Sequence, residues 1–269
     1  WMDRNYPDFT YYNGEYYLNA GMSYQDLAEK LQNPDISHKK VKVTIPEGYT
    51  VFDIASTLEK KNVCSAKDFL KACSTTEGYD YDWLADFPKN DPHVGYVLEG
   101  FLFPATYDFG ENSKATDIAD VMLEAFDQRI TDEVKTYCKQ RGYTLYQFVT
   151  LCSIVQKEAL SKSSQGNIAS TLENRLDKGM KIECDVTYYY AKALRDHGFS
   201  QSVYDAYYTY RCPGLPAGPI ANPGTEIMTA TVEHPSTDYL YFFSDLKGNF
   251  HFAATYGEFE SLKAKYPWK

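Results

Sequence analysis

Hydrophobic positions along this chain recur in short blocks at two spacings. Glu15-Tyr16-Tyr17-Leu18 predicts a strand, and Ser23-Tyr24-Gln25-Asp26 has the S-x-x-D form of a helix start. The helix that follows would carry Leu27, Ala28 and Leu31 on one face. Val41-Lys42-Val43-Thr44-Ile45 alternates apolar and polar residues as a half-buried strand does, and Pro46-Glu47-Gly48 ends it. Thr50 with Asp53, and Ser65 with Asp68, then open two short helices. The first should bury Val51, Ile54, Ala55 and Leu58; the second Phe69, Leu70 and Cys73. From Gly78 to His93 the pattern dissolves into polar, acidic residues with Pro88 and Pro92, which predicts a boundary between a region 1–93 and a domain 94–269.

Beyond that stretch the period becomes helical. Thr116 to Arg129 predicts an amphipathic helix with Ile118, Val121, Met122 and Phe126 inward. Thr144 and Gln147 form a T-x-x-Q capping box, after which Leu145, Phe148, Val149, Cys152, Val155 and Ala159 make a broad apolar stripe. Glu158 falls at the edge of that stripe, with Leu151, Ile154 and Val155 one and two turns back. A carboxyl among aliphatic side chains loses hydration, which favours its protonated form near neutrality, as a general acid requires. Taken alone, a solvated glutamate near a helix end is the commoner situation. Downstream, Asn174-Arg175 follows a helical run, Asp185 and Thr187 sit in a predicted extended segment, and Tyr207 and Tyr210 precede a loop. Their ordinary readings are a helix-end ion pair, a turn and aromatic core. Asp238–Phe243 and Phe250–Phe252 predict a hairpin around Lys247-Gly248-Asn249.

The loop from Gly214 to Gly224 holds three glycines and three prolines in eleven residues, which rules out helix and central strand. It should be ordered and nearly rigid. With little side-chain bulk, it would suit the wall of a site that an extended ligand approaches closely, although composition alone fits a surface connector better.

Composition sharpens the class. The mixture of short strands and helices over 269 residues predicts an α+β protein with a sizeable core. A net charge of −10 repels phosphate backbones and argues against a nucleic-acid partner. The six cysteines contain no C-x-x-C pair, so neither a zinc site nor a dense disulfide framework is signalled, and we read all six as reduced. No apolar run approaches the ~20 residues that span a bilayer. The absence of H-E-x-x-H, G-x-S-x-G, P-loop and GxGxxG patterns argues against metalloprotease, serine-hydrolase and nucleotide chemistry, and no metal or cofactor is expected. Aromatic residues make up 16% of the chain and 25 of them are tyrosines, side chains that pack on sugar faces but also fill cores.

Several segments resemble a known family when taken in order. They are Thr44-Ile45-Pro46-Glu47-Gly48, Leu98-Glu99-Gly100-Phe101-Leu102-Phe103-Pro104-Ala105-Thr106-Tyr107, Ser153-Ile154-Val155-Gln156-Lys157-Glu158, Asn174-Arg175-Leu176, Tyr207-Tyr208-Thr209-Tyr210, the Gly214–Gly224 loop and Asp238-Tyr239-Leu240-Tyr241-Phe242. Together they resemble the YceG-like family of endolytic murein (lytic) transglycosylases. The early strand and two helices also resemble the glycan-binding LysM-like module. The resemblance implies a small LysM-like α+β subdomain before an α+β catalytic domain, anchored at the extracytoplasmic face of the bacterial plasma membrane by an N-terminal helix ahead of this chain. It implies cleavage of nascent peptidoglycan strands between N-acetylmuramic acid and N-acetylglucosamine, ending strand elongation, with peptidoglycan synthases as candidate partners.

In the family pattern S-I-[IV]-E-K-E the second acid is the catalytic one, which falls on Glu158. Gln156 stands where the first glutamate is usual. Ala105 replaces an aspartate, Val186 the proline of Asp-Pro-Thr, and Tyr208 the asparagine of Tyr-Asn-Thr-Tyr. We expect Asn174, Asp185, Thr187, Tyr210, Asn222 and Tyr241 to meet substrate, with Glu99, Arg175 and Gln156 supporting. One acid suffices for such a mechanism, because the muramyl C6 hydroxyl takes the place of water. Two rivals stay open: a non-catalytic glycan-binding protein, and a hydrolytic muramidase using Asp185 or Glu183 as a second carboxylate.

Overall fold

The computed structural model of the protein describes residues 16, 19, 21–32, 40–159 and 161–268. The strand expected at 15–18 lies outside these, Tyr16 apart. Helix α1 (Tyr24–Gln32) starts where the S-x-x-D pattern puts it: Ser23 Oγ donates to Asp26 Oδ2 at 2.7 Å and accepts from the Asp26 N–H. Strand β1 (Lys40–Thr44) precedes α2 (Val51–Lys60) and α3 (Ala66–Ala72). Thr50 and Asp53 close a full capping box on α2, and Ser65 caps α3. The apolar set expected on α2 is buried; on α3 Phe69 and Cys73 are buried while Leu70 stays half-buried.

β1 pairs antiparallel with β2 (Thr106–Gly110), from Lys40 opposite Gly110 to Thr44 opposite Thr106. That pairing crosses the polar stretch where the sequence places a boundary. Val43, Ile54, Leu58 and Phe69 share one apolar cluster with Leu98, Phe101, Leu102, Met122 and Phe126. A cut near His93 would separate β2 from its partner and divide that core.

Helix α4 (Ala115–Asp127) buries Ile118, Ala119, Met122, Leu123 and Phe126, whereas Val121, expected inward, is exposed. At about 100° per residue, position 121 lies roughly 130° from the centre of the buried stripe. α5 (Asp132–Arg141) leads to α6 (Leu145–Glu158), which carries the expected capping box. Its burial exceeds the expected stripe: Tyr146 and every residue from Phe148 to Val155 are buried. A helix enclosed on all sides is a core rod rather than an amphipathic surface helix. Two of its buried hydroxyls are satisfied by the helix backbone, Thr150 Oγ1 donating to Tyr146 O and Ser153 Oγ to Thr150 O, each at 2.7 Å, whereas the buried Tyr146 hydroxyl has no hydrogen-bond partner among the described residues. Around this rod pack α5, α7 (Lys162–Asp177), α8 (Asp185–Asp196) and α10 (Thr225–Val232). The short α9 (Gln201–Tyr207) packs on α8, and the β3–β4 hairpin (Tyr241–Ser244, Phe250–Ala253) turns at the expected place before α11 (Tyr256–Lys265).

The glycine- and proline-rich loop threads the interior. Pro216 and residues 218–224 are buried. A Cβ on Gly218 would lie 2.4 Å from the Tyr146 hydroxyl and 2.8 Å from that of Tyr207, and the Ile220 N–H donates to Ser153 Oγ at 3.0 Å. The missing bulk therefore lets the chain pack against itself at these positions, while Leu215, Pro216 and Ala217 line a cavity.

Candidate active site

Glu158 is the last residue of α6, and Ala159 leaves the helix in extended geometry. Leu151, Ile154 and Val155 beneath it are fully buried, and its own carboxyl is half-buried. Loss of hydration raises its pKa to about 7; the nearby charge of Asp185 pushes the same way, while contacts with the Cys184 side chain and the Val186 N–H pull back. All three neighbours lie at the start of α8, which begins at Asp185 where the sequence predicts extended chain. The turn before it is forced: Glu183 adopts a left-handed φ of 55°, unusual for a residue with a side chain. Arg175 holds that turn, donating from Nε to Lys181 O at 2.7 Å and from Nη2 to Glu183 Oε2, while Nη1 reaches Leu240 O at 3.0 Å.

A carboxyl that must be protonated to act as acid loses that function as pH rises through its own pKa. Activity per unit substrate, kcat/KM, is thus expected to fall about tenfold per pH unit above about 7. Because the Asp185 charge raises that pKa, Asp185→Asn should move this limb to lower pH. A limb that stays in place in the variant would show that the two carboxyls are not coupled.

A polar cleft of about 510 Å³ runs past this helix end. Gln156, Lys157 and Ala159 line one side; the Glu47–Tyr49 turn and Asp53, Ser56, Thr57 and Lys60 of α2 line the other. Gly48 makes the turn possible. Its φ of 76° suits glycine, and a Cβ there would touch Gln156 Cγ at 3.4 Å. Lys157 Nζ donates to Gly48 O at 3.3 Å, and Gln156 Oε1 accepts from the Gly224 N–H at 3.0 Å. The position where the family pattern has a glutamate thus ties α6 to the start of α10.

The remaining expected site residues divide into two groups. Asp185 is exposed beside Glu158 and accepts from the Tyr210 hydroxyl at 3.0 Å; Tyr210 is itself exposed. Tyr241 is half-buried with Arg175 over its ring at 5.7 Å. The others are taken up inside the protein. Thr187, fully buried, donates to Cys184 O and bonds Thr209 Oγ1. Asn174 lies within α7 and its Nδ2 reaches Thr237 O and Tyr239 O at 2.9 and 3.0 Å, tying α7 to the segment before the hairpin. Asn222 has no exposed surface: Nδ2 donates to Tyr49 O and Glu99 Oε1, and Oδ1 accepts from the Leu102 N–H. Its polar atoms are spent within the fold, so it does not meet substrate here. Glu99, equally enclosed, also accepts from the Val51 N–H at 2.8 Å, and burial lifts its pKa to about 7.

Cys184 and the Val186 backbone, the immediate partners of Glu158, went unnoticed in the sequence; the available signal was their place at the N-terminus of a helix read as extended chain. A second cavity of about 430 Å³, lined by Thr144, Tyr146, Gln147 and Leu215 among others, lies at the opposite end of α6. With ~1.5 Å of rise per residue it is roughly 20 Å away and belongs to a different part of the molecule.

One desolvated, partly exposed carboxyl whose pKa is raised to about 7 is the equipment of general acid–base chemistry. The chain belongs to the YceG-like family, whose pattern matches residues 3–265. It is 31% identical over 265 residues to the endolytic murein transglycosylase of Bacillus subtilis, covering 94% of this chain and 72% of that protein. It is 29% identical to the endolytic murein transglycosylase of Streptococcus pneumoniae D39 over 93% of this chain, and spans about half (49%) of that longer protein. A crystal structure of a YceG-like protein from Listeria monocytogenes superposes with a TM-score of 0.70 at 31% identity, covering 90% of this chain and 82% of that one.

Proposed function

We propose that this chain is an endolytic murein transglycosylase with Glu158 as its acid and then its base. One observation carries the assignment. Among the described residues, two carboxyls have pKa values raised to about 7; Glu99 is enclosed, whereas Glu158 keeps some exposure beside the exposed Asp185. Protonated Glu158 gives its proton to the glycosidic oxygen that leaves C1 of N-acetylmuramic acid. The bond from C1 to that oxygen breaks as an oxocarbenium-like centre forms. The carboxylate then takes the proton of the C6 hydroxyl while O6 bonds to C1, which closes a 1,6-anhydro ring and returns Glu158 to its protonated state. No water is consumed, so no second carboxylate is required.

The unit of β1, α2, α3 and β2 would hold glycan without doing chemistry, because α2 supplies one wall of the cleft while the acid comes from the domain that follows. Action on nascent strands would end their elongation, at the extracytoplasmic face of the plasma membrane, near an N-terminal anchor and the synthases. One exposed carboxylate, Asp185, sits beside Glu158 and keeps a hydrolytic reading in view; Glu183 is committed to Arg175.

End-group analysis decides. Mass spectrometry of products from purified peptidoglycan should find anhydromuramyl ends throughout, also with Asp185→Asn. Reducing ends would overturn the transglycosylase reading, and no cleavage would leave a binding protein.

A further inference from the structure

Four tyrosines lie in contact beside the Glu158 site: Tyr188 and Tyr208 are half-buried against the core, whereas neither the acid–base chemistry nor the core accounts for the exposure of Tyr189 and Tyr210. Asp185, Tyr188 and Tyr189 stand at i, i+3 and i+4 along α8 and so share one face of the helix. Tyr189 is 67% exposed and Tyr210 is 40% exposed. Ring centroids run from Tyr210 to Tyr208 at 5.3 Å, Tyr208 to Tyr188 at 5.6 Å and Tyr188 to Tyr189 at 5.5 Å. The row starts at the Glu158 site, because the Tyr210 hydroxyl bonds Asp185, the carboxylate whose charge reaches Glu158.

The geometry points to a sugar-binding platform: the Tyr210–Tyr208–Tyr188–Tyr189 row carries pyranose rings of the glycan strand beyond the two sugars that flank the cleaved bond. This rests on the murein reading of the site and extends it to substrate length. The occupant follows from chemistry and continuity. Tyrosine offers an apolar face with a hydroxyl at its edge, which suits a sugar ring with one C–H face and peripheral hydroxyls. Rings already packed on one another lose little side-chain freedom when covered. A polymer held at Glu158 must continue over some surface, and this row begins beside that carboxyl. Tyr208 stands where the family pattern has asparagine, so its ring is a contribution of this chain.

The test separates platform from chemistry. In a Glu158→Gln background, which binds without turnover, affinity for peptide-free glycan strands is measured by calorimetry for Tyr189→Ala and Tyr189→Phe. Tyr189→Ala should weaken binding roughly tenfold and Tyr189→Phe should restore most of it, because the face rather than the hydroxyl does the stacking. In the active chain, Tyr189→Ala should lower kcat/KM on long strands by a similar factor yet leave a tetrasaccharide unaffected. Tyr208→Asn should shift the same length dependence in the same direction. Unchanged strand affinity, or equal losses on long and short substrates, would overturn the platform. Tyrosine-dependent binding by a chain that cleaves neither substrate would uphold the platform and refute the murein-cleaving reading instead.

Discussion

Glu158→Gln is expected to reduce turnover by at least ~10²- to 10⁴-fold, the usual worth of general acid–base help, because the same group serves both half-reactions. The amide keeps the shape and can still accept from the Val186 N–H, but it has no proton to give. Stability should not suffer: a neutral side chain replaces a half-buried carboxyl whose charged form is disfavoured by burial. Product release from purified peptidoglycan is to be compared with thermal unfolding of both proteins. Retained turnover would remove Glu158 from the mechanism; lost turnover with a collapsed melting curve would reassign it to the fold. Glu158 and Gln156 should respond differently, because position 156 serves as an acceptor for the Gly224 N–H, which either glutamine or glutamate can provide.

The largest effect on stability is expected at Asn222. Asn222→Leu preserves volume but removes the donor to Glu99 Oε1 and the acceptor of the Leu102 N–H, both buried, while Tyr49 O keeps the Asn222 backbone N–H. Leaving such groups unpaired, one of them an ionisable carboxyl, should cost roughly 3 to 5 kcal/mol. That corresponds to a fall in Tm on the order of 10 °C for a chain of this size. The deficit should shrink with acidity. Glu99 has a folded pKa of about 7, above its unfolded value, so below that pH it is neutral and its missing partner matters less. Denaturant unfolding at pH 5 and pH 7 reads this directly. An unchanged midpoint at pH 7 would show that the buried node contributes nothing net.

That node also explains why the sequence was informative about some things and misleading about others. Capping patterns are local, and so Thr50 with Asp53, Ser65 with Asp68, and Thr144 with Gln147 could be placed from spacing alone. Glu158 stood out because the aliphatic residues one and two turns back on its own helix are local in sequence, and burial does raise its pKa. The short motifs around Glu99 and Asn222 drew attention for their unusual residues, but their partners lie in distant segments, and spacing does not say whether a polar side chain turns toward ligand or toward its own core. The same limit applied to Asn174 and Thr187, whose hydrogen bonds reach Thr237, Tyr239 and Thr209. Gly218 looked like room left for a ligand, and that room is filled by two tyrosine hydroxyls from elsewhere in the chain. Val121 was misplaced by a helical phase error, and α8 was read as extended because Asp185-Val186-Thr187 lacks an N-cap side chain ahead of it.

The bond from Asn222 Nδ2 to Tyr49 O joins residues 173 positions apart, and the Gly48 N–H reaches Asn222 O over a similar span. This sets an order of assembly. A chain made from its N-terminus presents the 47–49 turn and Glu99 long before their partner exists, and contacts this distant are slow to close. Until Asn222 arrives, the turn that forms one wall of the cleft has no backbone partner, and Gln156 lacks the Gly224 N–H that ties α6 to α10. Position 158 is made before position 222, so the cleft past the end of α6 is completed late. A partly made chain therefore carries Glu158 before the wall opposite the end of α6 is tied in place.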